Sequence, residues 1–114
     1  MGEAMSYQHA ALANGRWTSL SFAEQMANVG SEVSRALNWK KKNRGDYARK
    51  AACRALELLS LTVDATTVAS RYKELTRLQE ALVDYFWGNN QFSSTEILWR
   101  KYFDHFNFLC RRNI

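Results

Sequence analysis

Apolar residues recur at intervals of three and four along most of this chain, which is the period of an amphipathic helix. The stretch SFAE at residues 21–24 predicts the start of a first helix, because Ser21 and Glu24 can form a reciprocal capping box. Gly30 interrupts this helix, and close approach of a neighbouring helix is the expected reason for it. The apolar positions of this segment fall on one helical face: Phe22, Met26, Val29, Val33, Ala36 and Leu37.

Two further periodic segments predict a second and a third helix. The second, YARKAACRALELLSLTV at residues 47–63, follows Asp46 as its expected N-cap. Its wide, alanine-rich apolar face predicts packing against two neighbouring helices. The third helix is expected to start near Thr67 or Ser70 and to end at Gly88. Its predicted buried edge comprises Val68, Tyr72, Leu75, Leu78, Leu82 and Phe86.

A fourth helix is predicted from a second capping box, SSTE at residues 93–96, to about Arg112. Helices of roughly 17–21 residues joined by short turns favour antiparallel neighbours. We therefore predict an all-α fold, an antiparallel up-down-up-down four-helix bundle over residues 21–114. The apolar stripe of the fourth helix comprises Leu98, Tyr102, Phe106 and Leu109, with Trp99, Phe103 and Cys110 beside it.

Residues 1–20 are interpreted as a short N-terminal extension of this bundle. Within it, SYQHAALANG at residues 6–15 predicts two turns of helix that end at Asn14–Gly15. Trp17 lies in the connector that follows. It is expected to pack against the bundle, because a lone indole in a loop usually finds apolar cover.

Composition is typical of one folded helical domain, and it also bears on the expected cellular location of the protein. The chain has 114 residues, of which 46% are hydrophobic, and it contains no proline. No window is apolar enough to cross a membrane and no signal peptide is evident, so a cytoplasmic location is expected. Cys53 and Cys110 lack the CxxC spacing of a redox pair and are interpreted as reduced, buried small hydrophobes.

The net charge of +5 is concentrated in one segment. Residues 40–54 hold seven basic residues and one acidic residue, a net charge of +6, whereas the remainder has nine basic and ten acidic residues. With Trp39, Tyr47 and Trp87 nearby, this basic corner predicts a non-enzymatic module that binds nucleic acid or a nucleoprotein complex. An acidic protein surface is the alternative partner. The candidate binding residues are Lys40, Lys41, Lys42, Arg44, Arg49, Lys50 and Arg54.

Motifs for catalysis or cofactor binding are scarce. The chain has no Gly-rich phosphate loop and no HExxH, and His9 and His105 lack partners at metal-ligand spacing, so neither a metal nor a cofactor is expected. The segment RKYFDHF at residues 100–106 has one structural interpretation, in which Tyr102 and Phe106 point inward. Arg100 and Asp104 would then form a surface ion pair.

The same segment has a second interpretation. Arg100 and His105 resemble the Arg-x4–6-His signature of the HEPN family, helical proteins that often act as ribonucleases when two copies bring their motifs together. The resemblance implies that Arg100 would stabilise charge on a phosphate and that His105 would assist proton transfer across a dimer. Lys101 departs from the family pattern, which usually places asparagine, aspartate or histidine after the arginine.

A broader resemblance extends from about residue 17 to residue 110. Four blocks are similar to a family of small, uncharacterised prokaryotic four-helix-bundle proteins: GSEVSRALNWKKKN, RALELLSLT, RYKELTRLQEALVDYF and WRKYFDHFNF. Size, helix count and basic patch are also similar to the four-helix proteins encoded in ribosomal-RNA intervening sequences. They are similar as well to the accessory proteins of diversity-generating retroelements, which form pentamers and engage nucleic acid and a reverse transcriptase. These likenesses imply the fold.

The fourth helix also indicates self-association. Aromatic residues make up 13% of the chain, and the aromatic residues of this helix point in more directions than one core face can use. Because aromatic side chains are enriched at subunit interfaces, a homo-oligomer is expected. The aromatic residues in question are Trp99, Tyr102, Phe103, Phe106 and Phe108.

Overall fold

The computed structural model describes residues 15–112, and these form four long helices with no strand among them. Neighbouring helices run in opposite directions. Lys41 at the end of the first meets Glu96 at the start of the fourth, and Arg49 near the start of the second meets Phe86 near the end of the third. Trp39 at the end of the first helix contacts Tyr47 at the start of the second. The predicted all-α antiparallel four-helix bundle is thus confirmed. The predicted short helix at 6–15 lies outside the described residues except for Gly15. The helices are α1 (Phe22–Lys41), α2 (Gly45–Ala65), α3 (Ala69–Trp87) and α4 (Glu96–Arg112).

Helix α1 lies at the centre of the packing, in contact with both α2 and α4. Gly30 makes the contact with α4 possible, because a Cβ atom at this position would lie 2.8 Å from Cβ of Phe103. This distance is shorter than van der Waals contact, so only glycine fits without a shift of one helix. The close approach expected from Gly30 is therefore present.

Helix α2 packs on α1 and on α3, as its wide apolar face predicted. Its contact surface consists largely of small side chains, which allow the helix axes to lie close together. Glu32 of α1, only 8% exposed, adds an ion pair to Arg54 of α2 at 3.1 Å. The buried alanines of α2 are Ala48, Ala51, Ala52 and Ala55.

The predicted helix starts are correct for α1 and for α3, which begins at Ala69, and wrong for α2 and α4. At α1, the hydroxyl of Ser21 accepts from the backbone N–H of Glu24 at 3.1 Å, and the Glu24 carboxylate accepts from the backbone N–H of Ser21 at 2.8 Å. Asp46 does not cap α2, because this helix begins at Gly45 and Asp46 lies in its first turn.

The second capping box, at SSTE, is also absent. Ser93 adopts φ 56°, and α4 begins only at Glu96. The side chain of Thr95 caps α4 instead, accepting from the backbone N–H of Leu98 at 3.1 Å. Hydrogen bonds between Asn90 and Ser94 shape the preceding loop. Helix α4 therefore starts two residues later than it would with Ser93 as its N-cap.

Burial follows the predicted edges in part. Of the predicted buried edge of α3, Tyr72 and the preceding Val68 are 53% and 43% exposed, whereas Leu75, Leu78, Leu82 and Phe86 are buried. In α4 the buried residues are Trp99, Phe103 and Phe106, while Leu98 is 56% exposed. Helix α4 therefore turns the Trp99–Phe103 side of its apolar surface inward, because it packs on α1 more closely than on α3.

Trp17 is buried against the bundle, as expected. Its indole is 1% exposed and donates a hydrogen bond from Nε1 to Oγ1 of Thr62 at 2.9 Å. Its backbone carbonyl accepts from Nε2 of Gln25 at 2.9 Å. The interpretation of the cysteines as buried is wrong for Cys53, which is exposed on α2, and Cys110 is partly buried.

Helices α3 and α4 meet through long side chains rather than through close backbone packing. The Tyr85 and Trp99 rings lie 6.0 Å apart, and Tyr102 donates a hydrogen bond to Glu74. Burial and this bond to a carboxylate raise the pKa of Tyr102 well above its usual value. A groove of about 370 Å³ remains between the two helices, lined by Leu78, Ala81, Leu98, Trp99 and Tyr102 among others.

None of the described helices combines the length and the apolarity that a membrane-spanning helix requires.

Replacement of Gly30 by alanine should lower the free energy of unfolding. Alanine favours a helix over glycine by about 1 kcal/mol, but the new methyl group meets Phe103 and overpacks the α1–α4 contact, which costs about 1–3 kcal/mol. Urea denaturation measures the difference. Gly45→Ala is the matched control, because the nearest atom to its Cβ is Nη1 of Arg49 at 3.8 Å. An equal gain in stability from both variants would contradict the close contact.

Candidate functional site

The reversal between α1 and α2 brings the predicted basic residues together. Helix α1 ends in a left-handed residue, Asn43, with φ 60°. The backbone N–H of Asn43 donates to the carbonyl of Lys40, and that of Arg44 donates to the carbonyl of Trp39, both at 3.0 Å. This pair of bonds is a Schellman motif, which asparagine tolerates better than most residues. Only three residues therefore separate the two helices.

An aromatic pair forms the centre of the surface that results. Trp39, in the last turn of α1, and Tyr47, in the first turn of α2, have ring centroids 4.8 Å apart at an interplanar angle of 32°. Tyr47 is 38% exposed. The guanidinium of Arg44 lies 4.3 Å from the centroid of the Tyr47 ring. This distance is typical of a cation–π contact.

Two lysines lie beside the same two rings. Nζ of Lys42 lies 5.4 Å from the Trp39 ring, and Nζ of Lys50 lies 5.6 Å from the Tyr47 ring. Asp46 is the single acidic residue within this group. A hydrogen bond from the backbone of Tyr47 and the charge of Arg44 lower the pKa of Asp46, so it is ionised at neutral pH.

Lys40 and Lys41 extend the positive surface towards the other two helices. Nζ of Lys40 lies 4.9 Å from the Tyr85 ring of α3, and burial together with the nearby charge of Glu96 raises the Tyr85 pKa. Lys41 is 3.5 Å from Glu96 of α4. The hydrogen bond from Arg100, and then the charge of Lys41, lower the pKa of Glu96.

Arg49 and Arg54 make contacts that hold helices together. Nε of Arg49 donates to the carbonyl of Phe86, one of the last carbonyls of α3, at 3.3 Å. Arg54 lies farther along α2, in the ion pair with Glu32. Six of the seven predicted residues thus share one end of the bundle, and Arg54 stands apart. We call the six the basic end: Lys40, Lys41, Lys42, Arg44, Arg49 and Lys50.

Comparison of the chain with family models, with curated proteins and with solved structures finds no match.

The aromatic residues near the basic end differ from those expected. Tyr85, under Lys40, was not recognised from the sequence, although its position in the last turn of α3 places it at the same end of an antiparallel bundle. Trp87 is 42% exposed and contacts Phe86, with ring centroids 6.5 Å apart. No cation among the described residues lies over the Trp87 ring.

Arg100 and His105 are not brought together within one copy of the chain. Five residues separate them, which corresponds to about 140° around a helix. Arg100 faces α1, where Nη1 donates to Ser34 and Nη2 to Asn38, both at 2.9 Å. His105 is exposed on another side of α4. No group of three His, Cys, Asp or Glu side chains placed to hold a metal occurs among the described residues.

The structural interpretation of RKYFDHF requires one correction. The ion-pair partner of Arg100 is Glu96, at 2.8 Å from Nε to Oε2, and not Asp104. Glu96 lies on the α1 side of α4 together with Arg100. Because Arg100 also donates to Ser34 and Asn38 of α1, it joins the two helices. Phe106 is buried and Tyr102 is partly buried, in agreement with their expected inward positions.

Arg100→Ala should reduce stability, whereas His105→Ala should not. Loss of Arg100 removes the bonds to Ser34 and Asn38, and we expect a decrease of about 1–2 kcal/mol in the free energy of unfolding. Loss of exposed His105 should change it by less than about 0.5 kcal/mol. Urea denaturation tests both. RNA cleavage by the parent protein that is lost in a stably folded His105→Ala variant would instead support the ribonuclease interpretation.

Proposed function

We propose that this protein is a non-enzymatic module that binds single-stranded nucleic acid, free or within a nucleoprotein complex, at its basic end. The observation that carries the proposal is the Trp39–Tyr47 ring pair, in which Trp39 is partly buried and Tyr47 is exposed, with the cations of Lys42, Arg44 and Lys50 beside the rings. Aromatic faces beside a positively charged surface are the features with which proteins hold single strands.

The charges at this end differ in their availability to a phosphate. Lys42 and Lys50 lie over aromatic rings, are exposed, and have no ion-pair partner among the described residues. Arg44 has a carboxylate neighbour in Asp46, at 3.7 Å, but both side chains are largely exposed. Phosphate groups can therefore approach these three cations without breaking a contact between helices. Neutralisation of phosphates by such residues supplies affinity that falls with salt.

The aromatic pair favours a single strand over a duplex. A base in a duplex is already stacked on its neighbours, whereas a base in a single strand can leave its neighbours and stack on a protein ring. Tyr47 presents its exposed part at the first turn of α2, and Arg44 covers it only by a side-chain contact. Rotation of Arg44 towards a phosphate would open the ring for a base.

Charge reversal at the basic end should lower the affinity for nucleic acid and make this affinity less dependent on salt. Lys42→Glu/Lys50→Glu removes two cations that hold no helix in place, and we expect the slope of log affinity against log salt to fall by about 1.4. Fluorescence anisotropy of labelled dT and U oligonucleotides measures this. Lys73→Glu/Arg77→Glu is the matched control, because it makes the same charge change on the exposed side of α3. Equal losses in both variants would contradict a localised site.

Tyr47→Ala should weaken binding of single strands by about 5- to 150-fold, since base–aromatic stacking contributes about 1–3 kcal/mol. Tyr47→Phe keeps the ring and should retain the affinity. The parent protein should bind a single strand more tightly than a duplex of equal length. Absence of any salt-dependent binding to DNA or RNA would overturn the proposal and favour an acidic protein surface as the partner.

A further inference from the structure

Trp87 is an aromatic residue at the same end of the bundle that the proposed site does not yet use. It is the last residue of α3, and its side chain is 42% exposed. The other three tryptophans are less accessible, because Trp17 and Trp99 are buried and Trp39 is partly buried. The Trp87 ring contacts Phe86 at an interplanar angle of 71°, which leaves part of the indole open to solvent.

Short hydrogen bonds fix the position of Trp87 at the end of α3. The backbone N–H of Gly88 donates to the carbonyl of Asp84 at 3.0 Å. The two carboxylate oxygens of Asp84 accept from the backbone N–H groups of Gln91 and Phe92, at 2.8 and 3.0 Å. The loop after α3 is therefore held against the helix, and Trp87 lies on a defined turn. The same bonds offset part of the charge of Asp84, the acidic residue closest to Trp87 along α3.

Arg49 connects the end of α3 to the basic end. Its Nε donates to the carbonyl of Phe86, the residue before Trp87, at 3.3 Å. Tyr47, two residues earlier on α2, contacts Trp39 of α1. Two residues correspond to about 200° around a helix, so Tyr47 and Arg49 lie on opposite sides of α2. The rings of Tyr47 and Trp87 are therefore separated by roughly the width of one helix, about 10 Å.

The face of α2 between these two rings carries an available positive charge. Lys50 follows Arg49 by one residue, which places it between the α1 side and the α3 side of the helix. It is exposed, and it has no ion-pair partner among the described residues. Asp46 lies on the same face, but Arg44 is 3.7 Å from its carboxylate and offsets its charge. A phosphate group can therefore cross α2 beside Lys50.

We propose that Trp87 is a second base-stacking surface of the nucleic-acid site, and that the ligand is a single strand of several nucleotides which crosses the first turn of α2. One base stacks at Tyr47, another stacks on Trp87, and the phosphates between them lie beside Lys50. Aromatic rings along a positively charged surface are how proteins follow a single strand. The inference rests on the proposed function and adds to it the path and the minimum length of the strand.

Variants of Trp87 separate stacking from packing. Trp87→Leu keeps an apolar contact with Phe86 but removes the aromatic face, so the affinity for a labelled dT oligonucleotide of about twelve nucleotides should fall about 5- to 150-fold. Trp87→Phe keeps a ring and should retain most of the affinity. Fluorescence anisotropy measures binding, and urea denaturation establishes that each variant is folded.

Tyr72→Leu is the matched control. Tyr72 is an aromatic residue on the same helix and is 53% exposed, but it lies about 22 Å from Trp87 along the axis of α3. Its replacement should leave the affinity unchanged. An equal loss of affinity in Tyr72→Leu and Trp87→Leu would overturn the assignment of the second surface to Trp87.

The length of the strand provides an independent test. A dinucleotide is too short to place one base on each ring across the width of α2, so Trp87→Leu should change its affinity little in a competition assay. The affinity of the parent protein should rise as the strand is lengthened beyond two nucleotides. In Trp87→Leu this rise should be smaller by the same 5- to 150-fold.

The outcomes distinguish this inference from the proposed function. Binding that is weakened by Tyr47→Ala, but by Trp87→Leu at no strand length, would overturn the second stacking surface and leave the proposed function intact. Absence of salt-dependent binding of the parent protein to any DNA or RNA strand would overturn both.

Discussion

Close packing of small residues around α1 determines the geometry of this bundle. Gly30 allows Phe103 to lie against α1, and α2, which packs on α1, buries small side chains such as Ala48 and Ala52 in the core. Because α4 is held this close to α1, it cannot also pack its backbone closely on α3, and a groove remains between the two. The same placement leaves Ile97 and Leu98 of α4 exposed to solvent. One contact therefore accounts for the exposed surface of α4 as well as for its buried surface.

The short reversal after α1 has an equally direct consequence for chemistry. Left-handed Asn43 ends the helix so abruptly that Trp39 and Tyr47 face each other. Cations around such a pair can lie over aromatic rings, which attract positive charge with little loss of its hydration. Arg49, by contrast, already donates to a carbonyl of α3. Net charge alone treats these residues as equivalent, whereas the structure separates those that stabilise the bundle from those that can meet a ligand.

The sequence was sufficient for the number, direction and approximate limits of the helices, because these depend on periodicity and local caps. It failed at two helix starts and where long-range packing decides which side of a helix is buried. Asp46 has the chemistry of an N-cap but lies in the first turn, and Leu98 belongs to an apolar stripe that α1 does not cover. The basic end was predicted from charge and antiparallel topology. Arg54 lies farther along α2, where it forms an ion pair with Glu32, a buried carboxylate on another helix that no local pattern reveals.

Helix α4 shows why a surplus of aromatic residues is an incomplete guide to an interface. Three of its five aromatic side chains, Trp99, Phe103 and Phe106, are in the core, and Tyr102 reaches across to Glu74 of α3. The side towards α1 is occupied by the bonds of Arg100. Among the described residues, the open parts of α4 are the groove towards α3, where Leu98 is 56% exposed, and the outer side, where Ile97 is 72% exposed. Packing within one copy therefore explains most of the aromatic content of α4, so this content alone is no argument for self-association.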